Sequence, residues 1–477
     1  MKITMVASES NPLIKTGGLA DVVYSLSKEL VVMGHEVSVI MPLYKRVADK
    51  YHDQIKKIDS YPVHMAWRVN YADVYVTYVN GIAFYLIDNG YYFHREGVYG
   101  YGDDMERFAF YTLATELFLT RQKEMPDIVH IHDWHPGMLA CLMREDELWK
   151  DAFAKTSIVF SIHNPAFQGM MGEDDLYNLY NLPHSLYENG QTRFNGGVSS
   201  LKTAIMYADK ITTVSPNHRY ELLTPEGSMG LHTVLALREN DFIGILNGID
   251  YLEFSPLHDP HIQFPYSAVN FFRTKTLNKW ELFKKLGIKD YGRPLYSFVS
   301  RVTWQKGMDI VFPVVDELAG RGCNIIMLGS GEYRYEQEME RLRAKYPNNI
   351  AVYIGYNDEL AHQIYASSDF FFMPSLFEPC GLGQMIAQRY GTLPIVRYTG
   401  GLKDTVIGYD GTNLEKANGF GFTNYNYEAF REVVMLSYDI YDNLPIRKQL
   451  VKNAMKVDNS WSKSAKEYLS LYKFILK

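Results

Sequence analysis

The sequence is poor in cysteine, in positive charge and in long apolar runs, and each shortage excludes a class of protein. Its 477 residues include only three cysteines, which lie far apart. Three scattered cysteines form no disulfide framework, so we expect a reducing, cytoplasmic setting. No stretch approaches the roughly 18 unbroken apolar residues of a membrane span, and the opening "MKITMVASE" lacks the features of a targeting segment. The net charge of −7 disfavours nucleic acid and anionic membranes as partners.

Three common motifs of phosphate chemistry are also missing. The chain contains no Asp-x-Asp, no Walker A sequence and no Gly-x-Gly-x-x-Gly. The absence of Asp-x-Asp disfavours a diphosphate that is bridged to the protein by a metal ion. Lysine and arginine side chains must then neutralise any bound diphosphate, and we predict neither a metal site nor a cofactor.

The length predicts two domains, because one hydrophobic core seldom covers so long a chain. Apolar, strand-like runs such as "ITMVAS", "EVSVIMP" and "TSIVFSIHN" alternate with helical stretches, and the pattern restarts at "LYSFVS" after the polar stretch 249–294. This order predicts an α/β fold of two doubly wound domains, residues 1–248 and 249–460, with a ligand in the cleft between them. The sequence pattern of residues 461–477 predicts an amphipathic helix that packs back across the domain junction.

The stretch "IKTGGLADV" follows the first predicted strand and opens a helix. Gly17 and Gly18 expose backbone N–H groups at a helix N-terminus, and Lys15 adds a full positive charge, so the loop suits a phosphate or a similar anion. The alternative is a turn that needs glycine only for its dihedral angles.

The stretch "SRVTWQKG" occupies the equivalent strand-to-helix loop of the second domain. Its Arg301 and Lys306 suit a diphosphate leaving group, whose negative charge grows as its bond breaks. Two solvated surface cations are the alternative interpretation.

A third stretch, "SLFEPCGLGQMI", places Glu378 in a loop ahead of another helix. The backbone from Gly381 to Gly383 opens that helix and suits phosphate or a sugar hydroxyl. The thiol of Cys380 lies beside a carboxylate and lacks an activating cation, so packing is its expected role.

The stretch "HIHDWHPG" resembles a metal-binding cluster, but its aspartate follows the second histidine directly and breaks the hydrolase spacing. We instead expect His132, Asp133 and His135 to line the cleft or to bond the backbone. At the next strand end, "SIHNPAFQG", His163 and Asn164 suit a polyhydroxylated ligand, or serve only as loop residues.

Eight ordered stretches, among them "KTGGLADV", "HDWH", "IHNPAFQG", "SRVTWQKG" and "PSLFEPCGL", resemble the bacterial glycogen synthases and plant starch synthases along nearly the whole chain. The resemblance implies a GT-B glycosyltransferase with two Rossmann-like domains facing across a deep cleft. It also implies a nucleoside-diphosphate glucose donor, with ADP-glucose favoured, an α-1,4-glucan acceptor, retention of configuration and no metal. Its motifs assign roles to residues of this chain. The implied catalytic residues are Arg301, Lys306, Glu378 and His163. The implied donor-binding residues are Lys15, Gly17, Gly18, Asn247, Tyr356, Cys380, Gly381, Leu382, Thr399, Gly400 and Gly401, and Asp21, Asp133 and Asn164 are placed near the sugar or acceptor.

The sequence departs from the wider superfamily at Ile386, where a Glu-x7-Glu pattern requires glutamate, and this removes one candidate ribose contact. Three alternatives stay open: a related enzyme with a small acceptor, of the sucrose or trehalose-phosphate synthase type; a metal hydrolase built on "HIHDWH"; and an inactive glucan-binding protein.

Overall fold

The computed structural model describes residues 1–476, which form two compact units. The first unit comprises Met1–Ile245 and the segment that begins at Ser464, and the second comprises Leu246–Lys463. The final helix, Trp461–Ile475, therefore starts in the sequence of the second unit, and its residues from Ser464 belong to the first.

The first unit contains a nine-stranded sheet, a three-stranded sheet and their covering helices. The strands are β1 (Lys2–Val6), β2 (Glu36–Pro42), β3 (Lys56–Met65), β4 (Arg68–Val79), β5 (Ile82–Asp88), β6 (Ile128–His132), β7 (Ser157–Ile162), β8 (Met170–Met171), β9 (Arg193–Phe194), β10 (Gly197–Ser199), β11 (Lys210–Thr213) and β12 (Phe242–Gly244). The helices are α1 (Gly18–Val32), α2 (Lys45–Tyr51), α3 (Gly90–Phe93), α4 (Asp104–Thr120), α5 (Leu139–Glu145), α6 (Asp175–Tyr180), α7 (Ser185–Glu188), α8 (Ser200–Tyr207), α9 (Pro216–Leu222) and α10 (His232–Leu237).

The large sheet runs in the order β12-β11-β7-β6-β1-β2-β5-β4-β3. Seven of its strands are parallel, as the apolar runs predict, but β3 and β4 form antiparallel pairs at one edge. The pairing is antiparallel there because β3 buries only one of its faces. Exposed and buried residues alternate along its second half, which is typical of an antiparallel edge rather than a doubly covered strand.

The second unit contains one six-stranded, wholly parallel sheet in the order β15-β14-β13-β16-β17-β18. Its strands are β13 (Leu295–Val299), β14 (Asn324–Gly329), β15 (Ile350–Ile354), β16 (Phe370–Met373), β17 (Leu393–Arg397) and β18 (Phe420–Phe422). Its helices are α11 (Phe271–Leu286), α12 (Met308–Gly320), α13 (Tyr333–Lys345), α14 (Asp358–Ser367), α15 (Gly383–Arg389), α16 (Gly400–Thr405), α17 (Tyr427–Tyr441) and α18 (Leu444–Lys456), and Trp461–Ile475 is α19.

Both units confirm the predicted α/β fold class. The helix α11 lies inside the stretch 249–294, whose prolines and polar turns gave no sign of it. Few apolar residues mark its buried face, chiefly Phe271, Leu282 and Phe283, so the helical period is weak in the sequence. No helix within residues 1–476 is long and apolar enough to cross a membrane.

Candidate functional site

In each unit, the predicted site residues lie in the loops, or in the first helical turns, that follow the carboxyl ends of parallel strands, where open α/β sheets bind ligands. In the first unit the loop between β1 and α1 carries Lys15. Its Nζ lies 2.8 Å from Oδ2 of Asp21, and Asn11 donates from Nδ2 to Asp21 Oδ1 at 2.5 Å. About half of the Lys15 side chain is exposed (48%), so the ion pair lies at the surface.

The N–H groups of this loop already hold a carboxylate. Thr16 N donates to Glu9 Oε2 at 2.6 Å, and Gly17 N also hydrogen-bonds the Glu9 carboxylate. Glu9 is only 2% exposed, and its burial raises its pKa above the ordinary value. The predicted anion-binding property of the loop is therefore met inside the chain. Glu9 was not among the predicted site residues. The one sequence feature that points to it is its position, shortly after β1 and ahead of the glycine pair.

Asp133 connects the ends of β6 and β7. Its Oδ1 accepts hydrogen bonds from the backbone N–H groups of His163, at 2.8 Å, and Asn164, at 3.4 Å. Its own backbone is left-handed, with φ of 57°, a conformation that aspartate adopts more readily than most residues. Burial raises the pKa of Asp133 to about 7. Asp133 thus positions the backbone of the two predicted ligand residues, while the Asn164 side chain accepts from Ala166 N within the turn.

The histidines of this region lie side by side, and two of them are hydrogen-bonded to each other. His163 Nε2 lies 3.0 Å from His132 Nδ1, and His130 bonds Tyr472 Oη and Ser161 Oγ, each at 2.7 Å. Burial lowers the pKa of His163 to about 3, so its imidazole is neutral at pH 7. Across residues 1–476, no group of three or more histidine, cysteine or acidic side chains is arranged to hold a metal ion.

In the second unit, Lys306 and Glu378 form a buried ion pair. Lys306 Nζ lies 2.5 Å from Glu378 Oε2, and each side chain is only 11% exposed. Ser375 Oγ donates to the same carboxylate oxygen at 3.0 Å. The sequence analysis predicted both residues as parts of the site, and the structure brings the two loops that carry them into direct contact.

Gly307 makes this contact possible. It caps the N-terminus of α12 with φ of 78°, and a Cβ there would lie 2.5 Å from the carbonyl oxygen of Pro374. Only glycine fits both the left-handed backbone and the close approach of the two loops. The "QKG" sequence therefore fixes where Lys306 points.

Two arginines flank the pair in different ways. Arg301 is exposed, and among the described residues its side chain forms a single hydrogen bond, a long one of 3.5 Å from Nη2 to Gln305 Oε1. Arg397, at the end of β17, donates from Nε to the Ser375 carbonyl at 2.8 Å and from Nη2 to the Leu376 carbonyl. Arg397 thereby holds the loop that carries Glu378, and sequence reasoning did not select it. The sequence feature that could have identified Arg397 is its position at a strand end, just before "TGGL".

The loops after β16 and β17 also pack closely. Gly400 has φ of 43°, and a Cβ on it would clash with the carbonyl oxygen of Glu378. Gly401 donates from its backbone N to the Pro379 carbonyl at 3.1 Å. The predicted backbone segments Cys380–Leu382 and Thr399–Gly401 are thus neighbours.

Cys380 and Asn247 meet at this point. The Asn247 N–H hydrogen-bonds the Cys380 sulfur, and burial raises the pKa of Cys380 to about 12, which leaves a thiol rather than a thiolate. Cys141 and Cys323 are buried too. Asn247 itself is buried, and its Oδ1 has no hydrogen-bond partner, so it presents an unused acceptor.

Tyr356, directly after β15 and Gly355, lies apart from the buried pair. Its ring is 83% exposed, and its hydroxyl donates to Asp358 Oδ1 at 3.1 Å. An exposed ring on a strand end can stack on a planar ligand.

The chain matches known families over nearly all of its length. Residues 2–237 match the model of the starch synthase catalytic domain, and residues 278–457 match that of the glycosyl transferases group 1. A glycogen synthase from Clostridium kluyveri is 42% identical over 477 residues, covering 100% of both chains. The chain belongs to the glycogen and starch synthase family. A glycogen synthase from Clostridium perfringens is 43% identical over 480 residues, covering 100% of this chain and 99% of its relative.

Solved structures agree with this family. The catalytic domain of starch synthase IV from Arabidopsis thaliana, bound to ADP and acarbose, matches with a TM-score of 0.89 and 30% identity over 99% of each chain. A sucrose-phosphate synthase from Thermosynechococcus elongatus matches with a TM-score of 0.61 at 15% identity, over 99% of this chain and 98% of its own, which shows the shared fold alone. The predicted GT-B fold and glycogen synthase function are confirmed at the level of the family. A family member is a glycosyltransferase that takes a nucleotide-sugar donor and a glucan acceptor.

Proposed function

We propose that this glycosyltransferase transfers glucose from ADP-glucose to the non-reducing end of an α-1,4-glucan, with retention of configuration and without a metal ion. The buried contact between Lys306 and Glu378 is the observation that carries the proposal. Each side chain is only 11% exposed, and in the proposal the cation binds the leaving diphosphate while the carboxylate binds the sugar. The starch synthase IV structure bound to ADP supports an adenine nucleotide as donor.

In the proposed reaction Arg301 and Lys306 bind the diphosphate. Negative charge grows on the departing phosphate as its bond to the glucose C1 breaks, and a buried ammonium stabilises that charge more than a solvated one does. Lys306 has three N–H donors, so it bonds phosphate while it keeps Glu378 in place. Arg301 is exposed and forms no ion pair among the described residues, so its guanidinium is available to the ligand.

Glu378 acts on the hydroxyl groups of the glucose rather than on its anomeric carbon. Its carboxylate is held by Lys306 and Ser375, an arrangement suited to binding and unsuited to a free nucleophile. We therefore favour front-face substitution, in which the acceptor hydroxyl gives its proton to the departing phosphate. The unused Asn247 Oδ1 is a further acceptor for a sugar hydroxyl.

The remaining predicted residues take supporting roles. His163, neutral at pH 7, exchanges hydrogen bonds with glucose hydroxyls, and Asp133 holds its backbone in place. The exposed Tyr356 ring stacks on the adenine. The other proposed donor contacts are Lys15 and the backbone of Gly17, Gly18, Cys380, Gly381, Leu382, Thr399, Gly400 and Gly401. The Gly17 N–H would bind the donor in exchange for its hydrogen bond to the Glu9 carboxylate. Asp21 and Asn164 are proposed near the sugar or acceptor.

The test is transfer of labelled glucose to glycogen from ADP-glucose and, in parallel, from UDP-glucose, with a chelator present. We expect label in the isolated polymer from ADP-glucose, and release of that label by an enzyme that cleaves only α-1,4 bonds. Label that stays in a small product would favour the small-acceptor alternative, and dependence on added metal would contradict the metal-free reaction. Arg301→Ala should lower transfer by at least about 100-fold, whereas Arg334→Ala, which removes an exposed arginine of the same unit, should leave transfer unchanged.

A further inference from the structure

The second unit has a cavity of about 220 Å³ between α11 and α18, which we call the α11–α18 pocket. Its lining includes Phe272, Lys275, Trp280, Ser367, Arg447 and Lys448. It lies at the amino ends of the parallel strands, since Gly292, Asp369 and Gly391 line it and come just before β13, β16 and β17. Lys306, Glu378 and Gly400 follow the carboxyl ends of the same strands, so the pocket is distinct from the candidate donor site.

The pocket has more positive than negative charge. Three cations, Lys279, Arg447 and Lys448, line it together with Lys275, whose burial lowers its pKa to about 7. The lining carboxylates, Asp290 and Asp369, are both engaged. Asp369 pairs with Lys279 at 3.1 Å, and Asp290 accepts from Trp280 Nε1 at 3.0 Å. Lys275 is bound by carbonyl oxygens and by Thr392 Oγ1. Arg447 and Lys448 therefore supply the excess charge, and neither forms an ion pair within residues 1–476.

Two buried polar atoms of the pocket have no hydrogen-bond partner among residues 1–476. Arg447 Nη1 is shielded from solvent and bonds no acceptor, while the guanidinium carbon lies 4.1 Å from the centre of the Tyr441 ring. Ser367 is only 2% exposed, and its Oγ also lacks a hydrogen bond. Such atoms are rare in folded proteins, because a buried donor without an acceptor destabilises the fold. An oxygen-rich anion would satisfy both.

The mouth of the pocket provides apolar surface for the rest of such a ligand. The Trp280 ring is 53% exposed, and the Phe272 ring packs under Lys448, whose Nζ lies 4.6 Å from its centre. The cavity is smaller than the roughly 300 to 1,000 Å³ of sites for drug-sized ligands. The size suits a single sugar ring with one phosphate and excludes a whole nucleotide sugar.

We propose that the α11–α18 pocket binds a sugar monophosphate, with the phosphate on Arg447 and Lys448 and the sugar against Trp280. Arginine suits this role because its planar fork matches phosphate oxygens. The inference rests on this pocket alone and does not depend on the identity of the glucosyl donor.

Isothermal titration of the full chain tests the proposal, with ribose 5-phosphate, inorganic phosphate and ribose as probes. We expect ribose 5-phosphate to bind at one site, inorganic phosphate to bind more weakly and ribose not to bind. Arg447→Gln and Lys448→Gln should each weaken the binding of ribose 5-phosphate at least ten-fold. Trp280→Ala should weaken the binding of ribose 5-phosphate and leave the binding of inorganic phosphate unchanged.

Two controls locate the site. Lys452→Gln removes an exposed cation one turn further along α18, outside the pocket, and should change nothing. Arg301→Ala, at the candidate donor site, should also leave the binding intact. The proposal is overturned if ribose 5-phosphate does not bind, if Lys448→Gln binds it as tightly as the unmodified chain, or if Arg301→Ala alone abolishes the binding.

Discussion

The loops between β1 and α1 and between β13 and α12 occupy the same position in their sheets but hold their lysines differently. Each loop follows a strand in the middle of a parallel array. Lys15 in the first is half exposed and pairs with Asp21 at 2.8 Å, whereas Lys306 in the second is 11% exposed and pairs with Glu378 at 2.5 Å. Two buried carboxylates of the first unit, Glu9 and Asp133, have raised pKa values because burial penalises their charged forms. Equivalent topology therefore does not produce equivalent electrostatics.

The largest effect on stability is expected at Lys306. Lys306→Ala leaves the Glu378 carboxylate buried without its partner, which typically costs about 3 to 5 kcal/mol. Urea denaturation of the variant measures this loss in the free energy of unfolding. The double variant with Glu378→Gln should recover much of it, and full additivity of the two changes would contradict a coupled pair.

Asp133 should give the second largest effect, and one that depends on pH. Asp133 has a higher pKa in the folded protein than in the unfolded chain. Such a carboxyl contributes its full stabilisation at a pH below the unfolded pKa, and this stabilisation is lost as the pH rises through the folded pKa. For Asp133 this window runs from about 4, the unfolded value, to about 7. Asp133→Asn keeps an acceptor oxygen and removes the charge.

The free energy of unfolding of Asp133→Asn, relative to that of the unmodified chain, should therefore rise by roughly 2 to 3 kcal/mol as the pH increases from about 5 to about 8. Urea denaturation at both pH values measures the difference. If the variant and the unmodified chain differ in free energy of unfolding by the same amount at both pH values, then Asp133 is ionised at no cost in the folded protein.

Lys15→Ala should have a smaller effect, because exposed ion pairs contribute about 0.2 to 1 kcal/mol. The loss should shrink further in high salt, which screens surface charges. Denaturation at low and high salt checks both points. A loss as large as that of Lys306→Ala would remove the distinction between the two loops.

Arg301→Ala should have the smallest effect on stability, within about 0.5 kcal/mol, because its side chain is exposed and weakly bonded. Its turnover should nonetheless fall by at least about 100-fold if the guanidinium binds the diphosphate. Steady-state kinetics beside thermal melting separates the two quantities. Near-normal turnover would sink the proposed role of Arg301.

The sequence predicted the parallel strands and the site loops because buried strands are apolar along their whole length and glycines mark tight turns. It could not predict that Lys306 meets Glu378, since 72 positions separate them and their loops are joined by contacts of the folded chain, such as Gly307 on Pro374 and the Leu376 N–H on the Gln305 carbonyl. It also missed Glu9, because one carboxylate after a strand looks like any solvated loop residue. The strands β3 and β4 were not predicted, because their alternation of buried and exposed residues differs from the continuous apolar runs of buried parallel strands.

The burial of all three cysteines has a practical consequence. Burial raises the pKa of every one of these thiols, to about 12 for Cys323 and Cys380, so almost no thiolate exists near neutral pH. Maleimide reagents attack the thiolate and should leave the natural chain unlabelled. A single cysteine introduced at the exposed Trp304, two residues before Lys306, would then carry a fluorophore that reports on nucleotide arrival in an otherwise unaltered enzyme.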